Sequence, residues 1–274
     1  VIFIIFLALF FGIDGAIAGY IVAPLFVFGM AVLFDIVITH RYFPSVRETK
    51  RKDVLLFSPK TILAYAGPLT AFLLFYELIL TLDLYFVKSM LKSDYLTGIY
   101  NAAITVGRIP YFLFYALTII LLPAISKTTA ERDHEGTERL VNQSLRLMTF
   151  LLFPMVTLLI MFGPQVLHFF YGARYAEAVL PMQVFALGVG FLTVFYVLSF
   201  ALNGAGLVKI PMRLALGGFL LMILFNFLLI PPFGLVGAAL ATTITSFFLM
   251  IAILIATARQ FHVHLKLRTI SLSL

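Results

Sequence analysis

The chain has no cysteine among its 274 residues. Disulfides and thiolate metal sites are therefore excluded, and the redox compartment cannot be inferred. Charge is also scarce: Asp, Glu, Lys and Arg supply 11% of the residues, against about 25% in soluble domains. No G-x-x-x-x-G-K-[ST] loop occurs, so nothing points to ATP-driven pumping. H-E-x-x-H and G-x-S-x-G are missing too, which removes two common hydrolytic signatures. The acid cluster Glu131, Asp133, Glu135 and Glu138 is mixed with bases and is a solvated face rather than a catalytic one. The lone His262-x-His264 pair in the tail is too small for a metal site. The first residue is Val1, with no charged segment ahead of the apolar run, so no cleavable signal peptide is readable.

What fills the chain instead is apolar. Hydrophobic residues make up 62% of it and the mean hydropathy is +1.10. A soluble core cannot hide that much apolar surface, so the solvent is lipid. A crossing helix needs roughly 20 apolar residues. The sequence predicts eight such runs: a clipped one at Val1–Ile13, then Ala16–Ile38, Thr61–Val87, Thr97–Leu122, Leu145–Phe162, Ala178–Leu202, Pro211–Ile230 and Leu235–Thr257. Barrel strands would be about ten residues long and alternating, so the expected class is all-α, a polytopic helical membrane protein.

The net charge of +7 would suggest nucleic acid in a soluble protein, but its distribution gives topology instead. Fifteen of the basic residues fall at alternate joints: the 40–60 loop, the 127–146 loop, Lys209 with Arg213, and the tail with Arg259, Lys266 and Arg268. The remaining joints hold only Lys88, Lys92 and Arg174. Positive residues stay inside, which predicts a multi-pass plasma (inner) membrane protein whose 40–60 loop, 127–146 loop and tail are cytoplasmic. No nucleic-acid partner is needed. The 129–146 segment reads as an amphipathic link.

Two outer turns share a pattern. "GIDGAIAG" (Gly12–Gly19) and "GLVGAALA" (Gly234–Ala241) both read G-x-x-G-A followed by small residues, 222 positions apart. Small residues let helices approach closely, and transporters are often built from repeats. The offset predicts 1–39 as the last two helices of one lobe, 40–60 as a cytoplasmic linker, 61–258 as a complete six-helix lobe and 259–274 as a tail. About four further spans would then precede Val1, each of roughly 20 apolar residues plus its loop.

"LDLYFVKSML" followed by "GIYNAA", then "LLPAIS", then "LNGAGLVKIPMRLAL" with "FNFLLIPPFGLVGAALAT", resemble the oligosaccharide flippases of the multidrug/oligosaccharidyl-lipid/polysaccharide exporter superfamily. The resemblance runs from Gly12 to the tail. It implies one part of a two-lobe transporter of twelve to fourteen helices. The departure is length, since eight spans are read here.

One charge sits at membrane depth. Arg108 lies eleven residues into an otherwise uncharged run, Thr97–Leu122. Ionisable groups there face protein or water. Asn101, Thr105, Arg108, Tyr111 (or Phe112) and Tyr115 recur at spacings of three and four, one stripe on a helix. The preceding run carries Glu77 and Asp83. At about 1.5 Å per residue, Glu77 lies roughly 15 Å from the hairpin end at Val87, and Arg108 roughly 16 Å from the end at Thr97. Glu77 is the expected counter-ion. Two readings stay open: Arg108 meets an anionic substrate group such as a lipid pyrophosphate, with Glu77 or Asp83 holding it when empty, or Glu77 and Arg108 form a permanent bridge between helices. Asn203 and Asn226, in or near spans, read mainly as interhelical hydrogen bonders. Tyr76, Tyr111 and Tyr115 read as packing aromatics that are also able to stack on sugars. Pro68, Pro110 and Pro154 each remove a backbone donor inside a span.

Together these features predict a carrier, not an enzyme: a flippase moving a lipid-linked oligosaccharide, a polysaccharide precursor, across the bilayer by alternating access. Arg108, Glu77, Asp83, Asn101, Thr105, Tyr111, Tyr115, Asn203 and Asn226 are its candidate cavity residues. The alternatives are a cation-coupled drug or small-molecule antiporter of the same superfamily, and a membrane-embedded glycan polymerase or ligase. No cofactor is expected. Coupling would be to a proton or sodium gradient or to the membrane potential, and the working partners would be the bilayer, a lipid-linked glycan and the glycosyltransferases of its pathway.

Overall fold

A computed structural model describes residues 2–42 and 58–261. The middle of the expected 40–60 linker, most of the 259–274 tail and the His262–His264 pair lie outside the described residues. The chain divides into two compact units, Val1–Ser58 and Pro59–Leu274. The first is one long helix, α1 (Ile2–Tyr42). The second runs α2 (Pro59–Leu91), α3 (Asp94–Gly107), α4 (Ile109–Ala130), α5 (His134–Leu147), a π turn (Met148–Leu152), α6 (Phe153–Tyr171), a short 3-10 segment (Ala173–Ala178), α7 (Val179–Gly204) and α8 (Lys209–Phe261).

Among the described residues, six helices are long and apolar enough to cross a membrane. Seven of the eight expected runs fall on them, α1 and α8 each holding two; the eighth, Thr97–Leu122, is divided between two helices. Both reverse direction at a glycine. Gly12 has φ 62°, ψ −138° and Gly234 has φ 57°, ψ −129°, a region essentially reserved for glycine. Three residues on, Gly15 lies so close to the Leu7 carbonyl, and Gly237 to the Leu229 carbonyl, that an added Cβ would overlap the oxygen. In a straight helix, residues eight apart are about 12 Å apart. The G-x-x-G pattern thus builds the same tight reversal twice. Its first glycine takes the positive φ, and its second lets the returning helix touch backbone.

The expected single span Thr97–Leu122 is instead two helices. Pro110 has no N–H to send to the carbonyl of Val106. The ladder ends with the Arg108 N–H donating to the Ile104 carbonyl at 3.1 Å and restarts with the Tyr111 N–H donating to the Arg108 carbonyl at 3.0 Å. Arg108 occupies the break, with φ −83° and ψ −5°. Pro154 acts more mildly: it sits in the first turn of α6, directly after the π turn, which absorbs the missing donor. The link at 129–146 contains α5, capped by Asp133, whose side chain accepts from the Gly136 N–H at 2.8 Å. Its buried residues Thr137, Val141 and Ser144 fall on one face at helical spacing.

The lobe is organised around α7. Nineteen of its 26 residues are buried, and it packs against α3, α4, α6 and α8. Lipid offers no hydrophobic drive between helices, so close packing must supply the cohesion. Accordingly, α7 and the second half of α8 meet through small residues, with Gly188 against Thr243. Thr193 and Ser199 return their hydroxyls to the carbonyls of Val189 and Phe195, both at 2.7 Å, which satisfies them without an outside partner. Leu74, Ile119, Ile120, Phe169 and Phe170 are exposed, as expected of a surface solvated by hydrocarbon.

Candidate functional site

Two polar features lie side by side in α2, α3 and α4. One is open and the other is closed.

The open one surrounds Arg108. The helix break half-buries this side chain, and its Nη2 donates to the Leu80 carbonyl of α2. Its guanidinium carbon stands 6.0 Å from the Phe185 ring centroid of α7, within cation–π range. Nε is buried and has no hydrogen-bond partner. Asn101, Thr105 and Tyr115 are exposed, and Thr105 folds its hydroxyl back to the Asn101 carbonyl at 2.7 Å. Glu77 is exposed as well. Among the described residues no ion pair joins Glu77 to Arg108, so the counter-ion contact expected between them is not made. The depth expected from the sequence is right to within one helical turn, but the acceptor is a backbone oxygen three residues on, on an adjacent face of α2.

Beneath this surface lies a nest of tyrosines. Tyr196 of α7 stands 4.4 Å from Tyr76, 5.4 Å from Tyr111 and 6.2 Å from Tyr115, centroid to centroid, the last pair being stacked at 18°. Phe72 continues the cluster toward Phe195 and Phe200. Tyr111 is buried here while Tyr115 is 46% exposed, so the expected stripe has a covered member and an open one.

The closed feature centres on Asp83, which is fully buried and does not line the open face as expected. Its Oδ2 accepts from the Tyr100 hydroxyl of α3 at 2.7 Å and from the Thr242 hydroxyl of α8 at 3.1 Å. Its Oδ1 accepts from the Leu84 N–H at 2.8 Å. One carboxylate therefore ties three helices. A buried charge is stabilised only when its lone pairs are taken up in this way. Asn203 and Asn226 also lie inside, away from Arg108's surface. Asn226 Nδ2 donates to the Met222 carbonyl at 2.8 Å, and the backbone carbonyl of Asn203 accepts from the Tyr65 hydroxyl at 3.0 Å. The Asn203 side chain and the Asn226 Oδ1 have no partner.

Of the nine candidate residues, the fold brings Tyr111 and Tyr115 together around Tyr196, leaves Glu77, Asn101 and Thr105 exposed and Arg108 half-buried, and buries Asp83, Asn203 and Asn226. Sequence reasoning missed Tyr196, Tyr100, Thr242 and Phe185. Tyr100 had a signal: Asp83 lies four residues from Val87 and Tyr100 three from Thr97, about 6 and 4.5 Å from the hairpin end, the same depth match that was applied to Arg108.

A family model described as the lipid II flippase MurJ matches residues 1–274. The chain belongs to the MurJ family. It is 28% identical over 252 residues to an uncharacterised membrane protein of Methanocaldococcus jannaschii, covering 90% of this chain and 58% of that one. It is 24% identical over 166 residues to the capsular polysaccharide biosynthesis protein CapF of Staphylococcus aureus, covering 61% and 42%. A solved MATE transporter in complex with MaD5 superposes with a TM-score of 0.69 at 15% identity, over 93% of this chain and 57% of that one. A MOP-superfamily transporter from Pyrococcus furiosus gives 0.64 at 21% identity, over 77% and 48%. These structural likenesses show that the chain shares the fold of those proteins. The chain spans about half the length of the relatives it matches. MurJ membership makes it a multi-pass membrane protein of a transport family rather than an enzyme family.

Proposed function

We propose that this MurJ-family chain contributes to a flippase that carries a lipid-linked oligosaccharide across the plasma membrane, with residues 61–258 forming one of two lobes that rock around a shared cavity. The observation that carries this reading is Arg108: a guanidinium at a helix break, half-open, with no direct ion pair among the described residues, the nearby Asp83 carboxylate being taken up by Tyr100, Thr242 and Leu84. A permanent structural arginine at membrane depth would be expected to pair with a carboxylate. One that leaves donors free suits a ligand which brings its own anion, and the planar fork matches phosphate oxygens with two hydrogen bonds. Tyr115 is placed to stack on a sugar ring, with Tyr196 and Tyr111 fixing it from below. Glu77, Asn101 and Thr105 add acceptors and donors for glycan hydroxyls.

On this reading the positively charged 40–60 and 127–146 loops are cytoplasmic, and loading occurs from that side. A proton or sodium gradient, or the membrane potential, drives the return step. The test is made in cells lacking the gene, where the leaflet distribution of lipid-linked precursor is followed. Accumulation on the cytoplasmic leaflet supports the flippase. Delivery to the outer leaflet without polymerisation refutes it and points to a polymerase or ligase step. Loss of drug resistance with normal glycan would select the antiporter.

A further inference from the structure

Asp83 and Arg108 act on the same rung of one helix. In a regular helix the Leu84 N–H donates to the Leu80 carbonyl. Here each end of that rung carries a side-chain partner. Asp83 Oδ1 takes the Leu84 N–H at 2.8 Å, and the Arg108 guanidinium donates to the Leu80 carbonyl. Asp83 is aimed at Leu84 because its other oxygen is held from both sides, by Tyr100 and Thr242.

We propose that Asp83 is a positioning residue for Arg108, holding it through the Leu80–Leu84 rung. By drawing on the Leu84 N–H, the carboxylate weakens the demand of the helix ladder on the Leu80 oxygen. That oxygen then serves the guanidinium, a stronger donor than an amide. If Asp83 lets go, Leu84 returns fully to Leu80, and Arg108 loses its tether at the break between α3 and α4. The carbonyl is thus shared between two donors, and the buried Asp83–Tyr100–Thr242 knot sets the balance from inside the lobe. Within the proposed transport cycle, this knot decides whether Arg108 is parked on α2 or free to meet an anion. Only the transport consequence rests on the flippase reading; the tether itself does not.

The tether is tested on the purified full chain in nanodiscs by phenylglyoxal modification, with mass spectrometry following the Arg108 and Arg139 peptides. Arg139 is exposed and serves as the internal control. Asp83→Leu is expected to speed modification of Arg108 by about tenfold, the equivalent of one hydrogen bond to a charged group, with Arg139 unchanged. Asp83→Asn keeps an acceptor for Leu84 and is expected to restore most of the protection. Should Asp83→Leu not fold, Tyr100→Phe and Thr242→Val each loosen the same carboxylate and are expected to raise Arg108 reactivity about threefold, a part of the same hydrogen-bond contribution. Equal Arg108 rates in wild type and the folded variants would overturn the proposal, and so would Asp83→Asn behaving like Asp83→Leu. If reactivity shifts as expected but lipid-linked substrate still crosses at the wild-type rate in the variants, the tether stands and its transport consequence fails; if reactivity shifts but not even the wild-type protein moves lipid-linked substrate, the tether stands and the flippase reading fails.

Discussion

Arg108→Lys separates a ligand-binding arginine from a structural one. The substitution keeps the positive charge and removes the planar fork. In the wild-type protein the guanidinium makes one hydrogen bond to the Leu80 carbonyl, faces Phe185 at 6.0 Å and keeps Nε unpaired. A lysine ammonium can still reach a carbonyl, and the site is half-open, so the folded state loses little: below about 1 kcal/mol, the scale of an exposed cation–π contact. The substrate contact loses more. A phosphate held by two parallel donors would keep one, and a hydrogen bond to a charged group contributes about 1.5–3 kcal/mol. Transport should therefore fall roughly 10- to 100-fold while membrane abundance stays normal. The assay is reconstitution of the full-length protein into liposomes carrying a fluorescent polyprenyl-pyrophosphate saccharide, with dithionite quenching to read leaflet exchange. Wild-type exchange by a normally abundant Arg108→Lys protein would refute a phosphate-binding role. Failure of the variant to accumulate would show that Arg108 is structural.

Other substitutions probe the frame around it. Gly237→Ala drives a methyl group into the Leu229 carbonyl and should cost about 1–3 kcal/mol, lowering the midpoint in a size-exclusion thermal assay; Gly217→Ala, with open space around it, should not. Tyr196→Ala empties the middle of the tyrosine nest and should destabilise by about 3–5 kcal/mol, whereas Tyr196→Phe keeps the stacked ring and should stay near wild type in the same assay. Glu77→Gln should leave protein abundance unaltered on an immunoblot, since no bridge to Arg108 depends on it; a collapse of abundance would restore the bridge reading.

Much of the architecture was legible in the residues because membrane proteins obey one dominant rule. Every backbone polar group must be satisfied inside lipid, so eight apolar runs could only be helices, and the glycine pairs at Gly12/Gly15 and Gly234/Gly237 could only mark reversals. The stripe from Asn101 to Tyr115 was readable for the same reason, because side-chain direction along a helix follows a fixed period. Other features depended on neighbours distant in sequence. Pro110 announced a disturbance, but whether it kinks or breaks the helix is settled by what the freed groups meet, here the α2 backbone and Phe185. Rise per residue gave Arg108's depth against α2, but not the rotation of one helix about its axis, and that rotation chose the Leu80 carbonyl over Glu77. Asp83 read as a cavity acid because α2 alone cannot show that Thr242, 159 residues later, covers it. Tyr196 was silent because one tyrosine in an apolar helix carries no period; it becomes the hub of a cluster only where three helices converge. Local periodicity and backbone satisfaction fixed the elements and their faces. Only tertiary packing could say which polar faces open to a ligand and which close on each other, because that depends on the partners brought across from other helices.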